Sequence, residues 1–412
     1  MLKSEKKSIV EILGRRPIHP FPARMAPGIA LEALGKGGCP LRVLDPMAGS
    51  GTVLAVARAN GHRAFGVDLD PLAVLLAGVW TRTVDAASAI DKAAEVLDRA
   101  RSLFRTLRSS QAYPSGTDEE TRQFIRFWFD EYARRQLTAL SLSISRVRDE
   151  TIRNVLWCGF SRLIITKKAG ASLAMDLSHS RPHRAFVTAP IKPFNRFLAA
   201  VNTVVTNCPQ LGSDPVGPMT RVKRGDARRL DIPSSSIDLV LTSPPYLNAI
   251  DYIRCSKFSL VWMGHSVNSL RKIRGESVGA QGSSKESLDI KWVSDVVNEL
   301  RLKPAISPRN HALLSQYVLD IGGALAETSR VLRSGGRAVY VVGDSTVRGT
   351  FISNSQIVVS VARDRGMVLR SRQFRSLPAN RRYLPPPRSG DSASPMDSRM
   401  RREAVLVFCK EC

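Results

Sequence analysis

Ser243-Pro244-Pro245-Tyr246 follows directly on the apolar run Ile237-Asp238-Leu239-Val240-Leu241. Two successive prolines remove two backbone donors and fix φ, which suits a stiff turn and suits the middle of a strand badly. A stiff turn of this kind holds backbone carbonyls and the Ser243 hydroxyl as fixed acceptors, with the Tyr246 ring beside them. That is a clamp for a planar amino group. The plainer alternative is a proline-stiffened turn after a buried strand, and the rest of the chain decides between the two.

A second set of residues suits a nucleotide-like ligand. "DPMAGSGT" runs from Asp45 through Pro46, Ala48, Gly49, Ser50 and Gly51 to Thr52. Its glycines let the backbone bend and approach a ligand closely, and a helix N-terminus behind them offers unpaired N–H groups. The segment fits neither the phosphate loop, since no Lys follows, nor the full G-x-G-x-x-G fingerprint. Some twenty residues on, "GVDLDP" places Asp68 at a strand end, where it can accept both ribose hydroxyls of an adenosine. "GDA" adds Asp226 and Ala227 at a third strand end, with Asp226 suited to the adenine amino group. Three strand-end sites in chain order thus match the parts of an adenosyl ligand.

Several elements must position these groups. "LRVLD", "PMAGSG", "TVLAVARAN" and "RAFGVD" read as strand, turn, helix and strand, a βαβ unit whose strands share one parallel sheet. From 84 to about 170 three segments carry apolar residues at three- and four-residue steps with charges between, the period of amphipathic helices. Asp149 and Thr117 are candidate N-caps there. Phe124, Phe127 and Trp128 lie at helical spacing and read as core. Strand character returns at "TRVKRGDA" and "IDLVLTSPP". The stretch 264–311, rich in Gly, Ser and charge, reads as a mobile surface loop. A helix "SQYVLDIGGALAETSRVL" ending at Gly335-Gly336, the strand "RAVYVVGDS", a helix near 355–365 and two last strands follow. The expected division is 1–83 and 216–412 as the two parts of one α/β domain, with 84–215 a mainly helical insertion that contacts nucleic acid.

Composition bounds the partners. The 412 residues carry a formal charge of +25 with a pI near 10.5, an excess that favours a polyanion. No apolar run has the length of a membrane span and the N-terminus lacks a secretory core, so a cytoplasmic, nucleoid-associated protein with no membrane partner is expected. Six cysteines are scattered, and only Cys409 and Cys412 form a C-x-x-C. His179 and His183 lack acidic or Cys company, so no metal is expected.

With both motifs in view, the chain resembles the amino-methyltransferases of DNA, which move a methyl group from S-adenosylmethionine to an exocyclic nitrogen. "HPFPARM", with His19 and Phe21, looks like that family's segment packed against the cofactor. The resemblance covers roughly 15–80 and 219–412. It implies a Rossmann-like α/β fold with a mostly parallel seven-stranded sheet, its last strand inserted antiparallel. It also implies that Asp45 to Thr52 hold the methionine end, that Ser243 and Pro244 orient the amine, and that Tyr246 stacks on the base. A Ser at the first position points to N4 of cytosine, where Asp or Asn is more usual for N6 of adenine. C5-cytosine chemistry needs a Pro-Cys nucleophile, and Cys208-Pro209 has the order reversed.

The expected partner is double-stranded DNA, and a restriction–modification setting would add a companion restriction endonuclease. N6-adenine methylation of DNA, an RNA base amino-methyltransferase and a degenerate methyltransferase-fold DNA-binding protein are the alternatives. Between 370 and 402 stand nine Arg and no Lys against two Asp. There Arg381, Arg382 and Arg388 are candidates for phosphate contacts and Tyr383 for stacking. The insertion and the 264–285 segment are the other candidate DNA readers.

Overall fold

The computed structural model describes residues 7–22, 25–35, 39–177, 182–211, 217–247, 251–279, 290–302, 306–347, 350–377 and 402–411. In chain order the first half holds α1 (Ile9–Leu13), α2 (Pro27–Leu34), β1 (Arg42–Asp45), α3 (Thr52–Ala59), β2 (Arg63–Asp68) and α4 (Pro71–Thr81). Next come α5 (Ala86–Thr106), α6 (Glu119–Trp128), α7 (Glu131–Ser145), α8 (Glu150–Ile164), the short pair β3 (Ala174–Met175) and β4 (His183–Arg184), and α9 (Pro193–Val205). The second half holds β5 (Thr220–Arg224), β6 (Ile237–Thr242), α10 (Tyr252–Leu260), α11 (Val267–Glu276), α12 (Lys291–Glu299), α13 (Pro308–Val331) and β7 (Leu332–Gly343). It ends with β8 (Ser345–Val347), β9 (Thr350–Ile352), α14 (Asn354–Asp364), β10 (Met367–Ser376) and β11 (Arg402–Lys410).

Seven strands form one sheet in the order β10-β11-β7-β6-β1-β2-β5. The pairs β1/β6, β6/β7 and β2/β5 are parallel, while β11 runs antiparallel to both β7 and β10. This is the Rossmann-like methyltransferase fold, with the antiparallel last strand where the sequence places it. The winding changes direction between β1 and β6. In open α/β sheets that switch point, at the carboxyl ends of the strands, is where ligands bind.

The chain divides into two compact units. One comprises 1–38, 48–224 and 250–274; the other comprises 39–47, 225–249 and 275–412. In the first, α5 to α8 each begin at an aspartate, Asp85, Asp118, Asp130 and Asp149, whose side chain accepts from the first turn. Such caps satisfy N–H groups that a helix leaves orphaned. The helices pack around Phe129, Phe160 and Trp262, with Phe129 and Trp262 edge-on at 5.1 Å. Hence α10 and the turn after it belong to the core of the helical insertion: Phe258 meets Phe124 and Trp128, and the Ser141 hydroxyl donates to the Trp262 carbonyl at 2.6 Å.

Five expectations change. The 264–311 stretch is not one loop, because α11 buries Val267, Leu270 and Ile273 and α12 buries Val293, Val296 and Val297. Their apolar steps are short and flanked by Gly and Ser, which masked them. Asp118, not Thr117, caps α6; the Thr117 hydroxyl donates instead to the Pro114 carbonyl at 2.5 Å. Helix α13 stops at Val331 rather than at the glycine pair, and Gly335 (φ +70°) lies within β7. Phe127 is 52% exposed beneath Arg184, so only its neighbours Phe124 and Trp128 pack against the core. Helix α9, opened by Pro193, was not foreseen.

Candidate active site

In the first unit the Gly-rich segment is shaped around two glycines. Gly51 sits at φ +86°, and a Cβ there would lie 2.8 Å from the Cα and Cβ of Ala77 on α4. No larger residue fits, so this turn brings the backbone hard against α4. Gly49 (φ +50°) donates its N–H to Asp68 Oδ2 at 2.8 Å, and a Cβ on it would reach the Phe21 ring edge at 4.0 Å. Phe21 is buried and stacks on Tyr252, ring centroids 5.9 Å apart and planes 7° from parallel. His19 is buried too, its Nε2 3.0 Å from the Ser161 hydroxyl, which in turn meets Ser259 at 2.9 Å.

Two hydroxyls beside these glycines carry a signal. Ser50 Oγ and Thr52 Oγ1 are buried, and neither has a hydrogen-bond partner among the described residues. Buried polar groups are nearly always satisfied, so an unpaired pair at a helix N-terminus fits a polar ligand. This donor set suits the amino-acid end of S-adenosylmethionine.

Asp68, at the end of β2, also accepts from the Asp70 N–H at 2.9 Å, and burial raises its pKa above the ordinary value. Asp70 caps α4, accepting from the Leu72 N–H at 2.9 Å and from the Ser256 hydroxyl. Burial first, and the Asp68 charge second, push the Asp70 pKa up to about 7.

The second unit holds the other half of the predicted set. Parallel pairing of β1 with β6, Val43 to Leu239 and Leu44 to Val240, sets their carboxyl ends side by side. There Asp45 is buried and accepts from the Met47 N–H at 3.1 Å and the Thr242 hydroxyl at 2.7 Å. The Pro46 segment and the S-P-P-Y turn therefore start from adjacent strand ends. Sequence spacing offered no sign of the Asp45–Thr242 bond, which spans 197 residues.

The turn itself has defined polarity. Ser243 donates to the Val341 carbonyl at 3.0 Å, and Tyr317, fully buried on α13, donates to the Pro245 carbonyl at 3.1 Å. Burial holds the Tyr317 phenol well above its usual pKa, so it stays a donor. The carbonyl of Pro244, a buried residue, receives no bond from any described residue. Tyr246 is partly exposed, and its hydroxyl donates to Glu403 Oε1 at 3.1 Å.

Asp226 meets Arg228, whose guanidinium spans it and Asp320 at 2.7 and 2.6 Å. The same guanidinium donates to the Glu276 carbonyl at 2.5 Å, and Asp320 accepts the Gly279 N–H at 3.2 Å. Arg228 and Asp320 had no motif to announce them. Ala227 is buried beside Asp226.

The remaining candidates divide. Arg381, Arg382, Tyr383 and Arg388, with His179 and Cys412, lie outside the described residues. Cys208 is fully buried, its thiol pushed far up by burial and donating to the Val79 carbonyl at 3.4 Å, so it is no nucleophile. Among the described residues no group of His, Cys, Asp and Glu could hold a metal, and no helix is long and apolar enough to cross a membrane. A basic cluster absent from the motif reading lies in the first unit. Lys257, Arg254, Arg271 and Arg274 gather near Asp251, which pairs with Arg274 at 2.7 Å and Arg254 at 3.4 Å. Burial lowers the Lys257 pKa, and the three arginines add to the effect.

No family model matches the chain. The type II methyltransferase M.MvaI of Kocuria varians is 23% identical over 366 residues, covering 82% of this chain and 79% of that protein. TTHA0409 of Thermus thermophilus, solved with S-adenosyl-L-methionine, is 18% identical over 46% of this chain and 54% of its own, with a TM-score of 0.24. The chain thus spans about half the length of that structure. A SAM-dependent methyltransferase of Methanosarcina mazei is 9% identical over 91% and 94%, with a TM-score of 0.32. The seven-stranded sheet with its antiparallel last strand is that of S-adenosylmethionine-binding methyltransferases.

Proposed function

We propose that this chain transfers a methyl group from S-adenosylmethionine to the exocyclic N4 of cytosine in DNA. One observation carries the reading: the Thr242 hydroxyl bound to Asp45 at 2.7 Å, which joins the S-P-P-Y strand end to the Gly-rich strand end at the switch point of the sheet. When bound, S-adenosylmethionine supplies an electrophilic methyl on sulfonium. The chain's own residues do the rest by positioning. An amino nitrogen conjugated with its ring has a poor lone pair. Two acceptors, the Pro244 carbonyl and Ser243 Oγ, would take its two N–H bonds and leave that lone pair available. Tyr246 stacks on the base, which enzymes acting on duplex bases rotate out of the helix.

In the first unit Ser50 and Thr52 would hold the amino-acid end of the donor and Asp68 its ribose. Support for DNA as partner comes from the +25 charge, the basic cluster on α10 and α11, and the likeness to M.MvaI. Support for cytosine comes from Ser243, a neutral hydroxyl where an acid would suit adenine. Mass spectrometry of nucleosides from DNA treated with protein and S-adenosylmethionine tests the whole reading. N4-methylcytosine is the expected product. N6-methyladenine would overturn the base assignment, and label confined to RNA would overturn the substrate class.

A further inference from the structure

The hydroxyls of the S-P-P-Y turn are wired to a buried ion pair on the last two strands. Arg375 on β10 and Glu403 on β11 face each other directly across the antiparallel ladder, and both are buried. Arg375 Nε and Nη2 donate to Glu403 Oε2 at 2.9 and 2.6 Å. The other carboxylate oxygen, Oε1, accepts the Tyr246 hydroxyl at 3.1 Å. Ser243 Oγ lies 3.5 Å from the Tyr246 oxygen and sends its own proton to the Val341 carbonyl at 3.0 Å.

Each hydroxyl has one proton and two lone pairs. With one proton committed to Glu403 and the other to Val341, neither bridges the Ser243–Tyr246 gap. The lone pairs of Ser243 are left for an incoming N–H. Without an acceptor at 403, the Tyr246 proton would turn to Ser243 and fill one of them.

We propose that Glu403, held by Arg375, is a positioning residue that sets the proton direction of the turn and so keeps Ser243 an acceptor for the target amine. The inference rests on the reading of Ser243 as an amine acceptor. A phenylalanine in place of Tyr246 has no proton to misdirect, so the need for Glu403 exists only while Tyr246 is present. A carboxylate is acceptor-only, whereas a glutamine at 403 can donate and release the tyrosine proton.

The test is a double-mutant cycle on the full-length protein, with Glu403→Gln made in the wild-type and Tyr246→Phe backgrounds and DNA methylation as the readout. In the wild-type background kcat should fall about tenfold or more, the order of one charge-assisted hydrogen bond. Cofactor affinity should stay within about twofold. In the Tyr246→Phe background the same substitution should change kcat by less than about twofold. Equal losses in both backgrounds would show that Glu403 serves the fold alone, and no loss in the first would overturn the proposal. If the lone substitution leaves Arg375 unpaired and prevents folding, Arg375→Leu with Glu403→Leu removes the acceptor without leaving a buried charge.

A readout free of activity separates this inference from the assigned reaction. In protein labelled with 3-fluorotyrosine, the Tyr246 ¹⁹F resonance is assigned by its loss in Tyr246→Phe. It should shift in Glu403→Gln, and an unmoved resonance overturns the inference. A shifted resonance in a protein that methylates no DNA would support the Glu403–Tyr246 link and overturn the proposed reaction.

Discussion

Asp70 is a charge in a place that disfavours charge, and its replacement by asparagine has a calculable consequence. The carboxyl is buried at the start of α4, close to Asp68, and its pKa rises from 3.8 to about 7. In the unfolded chain the same group titrates near ~3.9. The folded state therefore binds this proton more tightly, and stability falls as pH rises wherever that holds. The contribution is fully present below about pH 4 and is lost as pH climbs through about 7. At ~1.36 kcal/mol per unit, a shift of roughly three units has a ceiling of about 4 kcal/mol, of which about 2.6 falls between pH 5 and pH 8.

Asn and Asp rank together as N-caps, so Asp70→Asn keeps the bond to the Leu72 N–H and discards only the charge. Urea denaturation of both proteins at pH 5 and pH 8 isolates Asp70 and its coupling to Asp68, because titrations not coupled to Asp70 cancel in the difference. The variant should gain on wild type by about 2 kcal/mol between those pH values, somewhat under the ceiling because buried carboxylates relax their surroundings. The Asp68 charge is the second cause of the shift, so an Asp68→Asn background should shrink the gain. A stability difference that is flat from pH 5 to pH 8 would refute the claim that Asp70 carries a proton near neutrality.

Three further substitutions separate ligand binding, crowding and backbone strain. Thr52→Val removes a buried hydroxyl with no partner, so thermal stability should hold or rise slightly while calorimetry reads S-adenosylmethionine affinity about three- to tenfold weaker; equal loss of both would show that the hydroxyl serves the fold. Gly51→Ala should cost about 2–4 kcal/mol, from a left-handed φ and a Cβ driven into α4. Gly61→Ala, at φ +82° with open space around it, should cost only about 1 kcal/mol by denaturant titration, and similar values for the two would remove the crowding argument.

What was legible in the sequence was written in consecutive residues. "DPMAGSGT" announced a strand end, a bend and a helix start because glycine placement and strand hydrophobicity are local properties. "TSPPY" announced a stiff turn for the same reason. Apolar steps of three and four announced the insertion's helices and Asp149 one cap, although the middle segment divides into α6 and α7 at Asp130 and Thr117 next to Asp118 displaced one cap by a residue. Helices α11 and α12 were lost because such short apolar patterns, three positions in the ten residues of α11 and four in the nine of α12, are a weak periodic signal beside a run of Gly and Ser.

The partners of the turn were a different matter. Val341, Tyr317 and Glu403 stand 98, 72 and 157 residues from the groups they bind, and only the order of strands in the sheet and the packing of α13 bring them there. Yet these three decide what the turn can do. A sequence reading offers several equivalent acceptors, two proline carbonyls and two hydroxyls. Tyr317 consumes the carbonyl of Pro245, Val341 takes the Ser243 proton, and Glu403 takes that of Tyr246. What is left over, the Pro244 carbonyl and the lone pairs of Ser243, is a pair of acceptors for the two N–H bonds of one amino group. On the proposed reading, the preference of the clamp for an amine over a hydroxyl would reside in residues that bind the turn from behind, not in the motif itself.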